Sequence, residues 1–147
     1  DKMALALDLV NVRLILEPGI AEMAALNATE EAILELRCCC ERVEERIASG
    51  DMYIQDDIAF HTSVARCSGN KVVEQLIPII DTAVMMFVNV THQRLTKETV
   101  MTHRAIVDAI SDRDPIGAKT AMMMHMTYNR NMILKLIREE KEKNHKE

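Results

Sequence analysis

Asp57 and His61 stand four residues apart in a helix-forming stretch. That spacing stacks the two side chains on successive helical turns, so that a carboxylate oxygen and an imidazole nitrogen can reach the same point. Both fall within an apolar stripe made by Ile54, Ile58, Val64 and Ala65. His103 sits among Val100, Ile106, Val107 and Ile110, and His125 among Ala118, Ala121, Met122, Met132 and Leu136. One histidine on an apolar face is ordinarily a core residue bonded to a backbone carbonyl. Three of the five histidines plus a carboxylate, on the inward faces of separate helices, would cost several kcal/mol if buried unpaired. A single divalent cation satisfies all four. Neutral imidazole and carboxylate suit zinc, with nickel, manganese or iron as alternatives, whereas calcium and magnesium take more oxygen. His92 and His145 read as surface residues.

An ion held by Asp57, His61, His103 and His125 keeps open positions if octahedral, and these serve either catalysis or the capture of a ligand. The sequence holds no HExxH, no Glu-x-x-His pair and no GxSxG, so a metal-dependent enzyme acting on a small carboxylic acid is the alternative function and has no motif behind it. The first reading is a centre that receives a small organic acid. Its formal charge near +1 favours an anion with two adjacent oxygen donors, such as a hydroxy acid, a di- or tricarboxylate or a sugar acid. Arg13 interrupts the stripe Ala6, Leu9, Val10, Leu16 and Ile20, where it either pairs with Glu17 or holds a ligand carboxylate. Asn129, one turn beyond His125, can donate to a ligand hydroxyl. Met122, Met123, Met124, Met126 and Met132 crowd the same segment, as core filler or as the lining of an adaptable cavity.

These side chains need helices to hold them. The chain has 147 residues, 48% hydrophobic and 28% charged, with only four Gly and three Pro, which leaves few turn signals and predicts an all-α fold. We expect a single antiparallel bundle of about six or seven helices spanning 1–147 as one domain. A first helical segment covers Ala4 to Asn27, with Pro18 either kinking it or starting a new helix; a second opens at the N-cap Thr29 and ends at Ser49-Gly50. A third runs from about Asp51 to Cys67, a fourth from the Ser68-Gly69-Asn70 turn to about Thr91, a fifth from about Lys97 to Ser111. Asp114-Pro115 starts the sixth, which ends near Glu140 before a charged tail. The first and fourth carry more apolar surface than one bundle can bury, which predicts a homodimer. A net charge of -5 and 3% aromatic residues exclude a nucleic-acid surface on this chain. No apolar run reaches membrane-spanning length and no leader opens the sequence, so a cytoplasmic protein without membrane contact is expected. Cys38, Cys39 and Cys40 are successive and point about 100° apart on a helix, so with Cys67 they read as small apolar helix residues.

The segment Arg13-Leu14-Ile15-Leu16-Glu17-Pro18, followed by Ala24-Ala25, resembles the opening of the FCD effector domain of GntR-type transcription regulators, FadR subgroup. Asp57-Ile58-Ala59-Phe60-His61 and the Ser68-Gly69-Asn70 turn are similar to that family's Asp-x-x-x-His motif and the turn behind it. His103-Arg104-Ala105-Ile106, Asp112-Arg113-Asp114 and His125 follow in the family's order, so the likeness covers Val10 to Ile133. It implies a helical bundle that binds a metal through Asp57, His61, His103 and His125 with an organic acid effector beside it. It also implies a dimeric bacterial regulator, commonly a repressor, whose effector alters DNA binding. Thr102 departs from the pattern by standing where an acidic residue often precedes the third ligand. The family's N-terminal winged helix-turn-helix domain is absent from this chain, which therefore reads as part of a longer DNA-binding protein.

Overall fold

The computed structural model describes residues 1–91 and 94–147; the expectation for His92 lies outside them. The described residues form seven helices: α1 Lys2–Asn27, α2 Glu30–Ala48, α3 Ile54–Cys67, α4 Lys71–Glu74, α5 Ile77–Thr91, α6 Thr96–Ser111 and α7 Pro115–Asn144. No strand occurs among them.

The helix boundaries follow local chemistry. Thr29 Oγ1 accepts from the Ala32 amide at 3.1 Å, and Glu30 and Glu31 occupy the positive first turn of α2. Gly50 follows that helix at φ 72°, a left-handed conformation that a β-carbon disfavours. Asp114 caps α7 by accepting from Gly117 at 2.9 Å, with Pro115 inside the first turn, where its missing N–H costs nothing. The charged tail extends α7 to Asn144, past the expected end near Glu140.

Pro18 and Pro78 affect their helices differently. Pro18 lies within one continuous α1, although its ring has no N–H to offer the Leu14 carbonyl. The expected fourth helix divides into α4 and α5 because Pro78 has no donor for the Glu74 carbonyl. The chain turns at Gln75–Leu76, and the amides of Ile79 and Ile80 both bond to the Leu76 carbonyl at 3.1 Å.

α1 and α7, about 39 and 45 Å long at 1.5 Å per residue, lie antiparallel along most of their length. Arg130 reaches Asn11 at 3.1 Å and Lys119 reaches Glu22 at 3.5 Å. α6 folds back on α7, and α3 packs against α2, α5 and α1. Phe60, Leu36, Ile106, Ile110, Met122, Met126 and Ile133 fill the centre, fully buried. Met122 and Met126 are therefore core, whereas Met123 and Met124 are exposed. Cys39, Cys40 and Cys67 are buried free thiols, and burial pushes them up to about 11, 12 and 11.

Candidate metal centre

Four helices bring their polar side chains to one point inside this core. α1 supplies Arg13 and Glu17, α3 Asp57 and His61, α6 Thr102 and His103, and α7 His125 and Asn129; all are buried. Helical periodicity explains the convergence, since each residue lies on the stripe that its helix turns inward. The ligand-type nitrogens of His61, His103 and His125 lie within 4.8 Å of one another. His61 Nε2 is 3.3 Å from His125 Nε2, and Asp57 Oδ1 is 3.5 Å from His61 Nε2 and 3.3 Å from His103 Nε2.

The three imidazoles are held in three ways. His61 Nδ1 is 2.7 Å from Glu17 Oε1. Glu17 in turn accepts from Arg13 Nε at 2.5 Å, and Arg13 Nη2 lies 3.4 and 3.3 Å from the two ring nitrogens of His61. His125 Nδ1 is 2.6 Å from Thr102 Oγ1. His103 stacks on Phe60, with ring centroids 3.8 Å apart and planes within 16°.

Burial dominates the ionisation of the cluster and neighbouring charges modify it. It pushes the Glu17 carboxyl up, but Arg13 and His61 overcome this and bring it to about 2. It works likewise against the Asp57 carboxylate, which the His103 and His61 imidazoles hold well below the usual range. Burial lowers His103 and takes His125 well below its ordinary value; it also pulls His61 down, but the charge of Glu17 together with the contacts to Asp57 and Glu17 overcomes it and raises His61. Two imidazoles are thus kept neutral, the form that binds a metal.

Asp57 Oδ1 and both ring nitrogens of His103 are buried without a well-formed hydrogen bond, although Oδ1 and Nε2 approach each other at 3.3 Å. Such groups are rare in folded proteins and costly. Their convergence with two further imidazole nitrogens fits a divalent cation, because donors around one ion at about 2.0–2.2 Å stand roughly 3 Å apart. The donor set of one carboxylate oxygen and three imidazole nitrogens suits zinc and its first-row neighbours.

All four residues expected to hold a metal are thus brought together. Of its two expected alternatives Arg13 takes the pairing with Glu17, and its guanidinium also lies beside His61. Asn129 is buried one turn beyond His125, but no hydrogen bond among the described residues joins its side chain to the cluster. His145 is exposed, as expected. The sequence reading missed the contacts of Glu17 with His61 and of Thr102 with His125. Both residues stood in segments that carry the family resemblance, but nothing in their spacing pointed to these partners.

Fold and site together define a helical domain built around an internal cluster of buried polar side chains. The chain belongs to the FCD domain family, whose profile matches residues 8–128. It is 29% identical over 145 residues to the uncharacterized HTH-type transcriptional regulator YcbG of Bacillus subtilis, covering 90% of this chain and 58% of that protein. It is 29% identical over 119 residues to the HTH-type transcriptional repressor NanR of Citrobacter rodentium, covering 78% of this chain and 46% of that one. The structure of Streptococcus agalactiae GntR superposes with a TM-score of 0.79 at 30% identity, over 89% of this chain and 60% of the other. The chain spans about half the length of the relatives it matches. Homologues with this domain are transcriptional regulators rather than enzymes. Among the described residues, no helix is long and apolar enough to cross a membrane.

Proposed function

We propose that this chain is the effector-sensing and dimerisation domain of a cytoplasmic bacterial transcription regulator of the GntR type, FadR subgroup. In this reading Asp57, His61, His103 and His125 hold one divalent ion, zinc in the first instance and nickel, manganese or iron otherwise. A small organic acid binds beside it and modulates the affinity for DNA of a winged helix-turn-helix domain outside this chain. The observation that carries the reading is the convergence of Asp57 Oδ1 and the His103 nitrogens, buried without a well-formed hydrogen bond, with the other two imidazoles. When bound, the ion supplies a Lewis-acidic anchor for an anionic oxygen donor. Arg13 is placed to share its guanidinium between Glu17 and an incoming carboxylate, and Asn129 to donate to a hydroxyl once the ligand brings the two within reach.

Dimerisation is supported by one side of α1, on which Leu5, Val12, Ile15 and Leu26 are exposed, Ile15 to 78%. A band of that kind marks an interaction surface, and a self-complementary one gives a two-fold dimer.

Elemental analysis of the purified chain followed by calorimetric titration with hydroxy acids, dicarboxylates, tricarboxylates and sugar acids tests the proposal. It requires one ion per chain and an acid whose affinity collapses on metal removal and drops in Arg13→Ala. An acid that binds the metal-free domain equally well refutes this mode of sensing.

A further inference from the structure

Thr102 has one hydroxyl proton and three close polar neighbours. Its Oγ1 lies 2.7 Å from the Glu98 carbonyl, 3.4 Å from the Thr99 carbonyl and 2.6 Å from His125 Nδ1. A carbonyl oxygen only accepts, and two oxygens at 2.7 Å without a proton between them repel, so the hydroxyl proton belongs to the Glu98 carbonyl. The contact with His125 must then run the other way, with Nδ1–H donating to a lone pair of Oγ1. His125 is consequently an Nδ1–H tautomer whose bare Nε2 points inward, 3.3 Å from His61 Nε2.

We propose that Thr102 is a positioning residue that fixes His125 in this tautomer and aims its Nε2 lone pair at a cation, an assignment that rests on the metal reading given above. Orienting partners of this kind set the tautomer and ring angle of a metal-bound histidine. Thr102 performs for His125 the task that Glu17 performs for His61, with one difference: a hydroxyl adds no charge. Arg13 and Glu17 cancel, so a divalent ion beside Asp57 leaves the centre at a formal +1, and Thr102 preserves that charge for an anionic ligand. A carboxylate in its place would bring the sum to zero. Thr102 is fully enclosed by the bundle, 2% exposed, so water does not replace it as acceptor.

Long-range proton–nitrogen correlation spectra of the ¹⁵N-labelled chain, metal-free and zinc-loaded, test this together with zinc affinity. The wild-type chain should show His125 as Nδ1–H with a bare Nε2 before zinc is added and a coordinated Nε2 afterwards. Thr102→Val keeps the branched shape but has no acceptor, so the tautomer should become mixed and zinc affinity should fall roughly 10- to 100-fold. Thr102→Ser should restore both, which a loss of packing alone would not do. A protonated Nε2 in the metal-free wild-type chain, which needs no variant to observe, overturns the assignment, as does wild-type zinc affinity in a folded Thr102→Val. A wild-type chain that shows the tautomer yet takes up no zinc overturns the metal reading instead, so the two failures are told apart.

Discussion

Two Arg–Glu pairs of similar contact distance occupy opposite surroundings in this molecule. Arg13 and Glu17 meet at 2.5 Å with side chains only 3% exposed, whereas Arg104 grips Glu44 through two nitrogens at 3.1 and 2.6 Å with side chains 50% and 22% exposed. The exposed pair ties α6 to α2 and stands largely in water, where solvent and salt screen it. The buried pair has no solvent to fall back on, and it is wired to His61 and through it to the imidazole cluster. The difference teaches that the ion pair matters here through what surrounds it: on the surface it is a fastener, in the core part of a charge arrangement in which each member requires the others.

The largest expected effect follows from breaking the buried pair from one side. Glu17→Ala strands the Arg13 guanidinium in the core and removes the acceptor for His61, so it should destabilise the domain by roughly 3–5 kcal/mol. Urea unfolding of the metal-free protein measures it, and a loss below that of an ordinary surface substitution would show that the pair is dispensable. Metal should sharpen the contrast next. Zinc at about 1,000 times its Kd should raise stability by roughly 4 kcal/mol, and His103→Ala should abolish that gain. The same zinc should stabilise Arg104→Ala as much as wild type. Thermal melts with zinc and with chelator check both halves.

Acid should act on the buried region as well. The folded Glu17 carboxyl sits at about 2 against an ordinary 4.5, so the unfolded chain binds that proton first. Its contribution is complete above pH 4.5 and disappears as pH falls from 4.5 towards 2. His103 and His125 lie below their ordinary 6.5, so they withdraw stability from pH 6.5 downward, while the raised His61 offsets part of that loss. Metal-free protein should therefore lose stability in two stages, below pH 6.5 and again below 4.5, in a series of urea titrations. A flat profile from about pH 7 to about pH 4 would contradict the burial of neutral imidazoles. The smallest effect belongs to the exposed pair: Arg104→Ala should cost less than about 1 kcal/mol, and less still in high salt. A loss comparable with that of Glu17→Ala would erase the comparison.

Much of the scaffold was legible because its signals are local. Thr29 and the Asp114-Pro115 step mark helix starts within a few residues, and the inward stripes of α3, α6 and α7 follow from helical periodicity. Asp57, His61, His103 and His125 could thus be placed on inward faces without coordinates. The break of α4 from α5 was also local, written in Pro78, but the apolar run around it masked the signal. The orientation of Arg13 was not local. Its partner Glu17 is one turn away in the sequence, yet whether the pair faces solvent, a ligand or a histidine depends on how α1 meets α3.

By itself the sequence determined which residue types lie on which face of each helix, since backbone geometry fixes that periodicity. It therefore determined an all-helical bundle with one carboxylate and three imidazoles turned inward. Only the tertiary structure decided how those faces meet: that Glu17 orients His61 across 44 residues, that Thr102 does so for His125 across 23, and that Phe60 stacks on His103. Hydrogen bonds and ring contacts require atoms to agree to within a few tenths of an ångström. The docking of whole helices sets such distances, and no residue spacing along the chain encodes them.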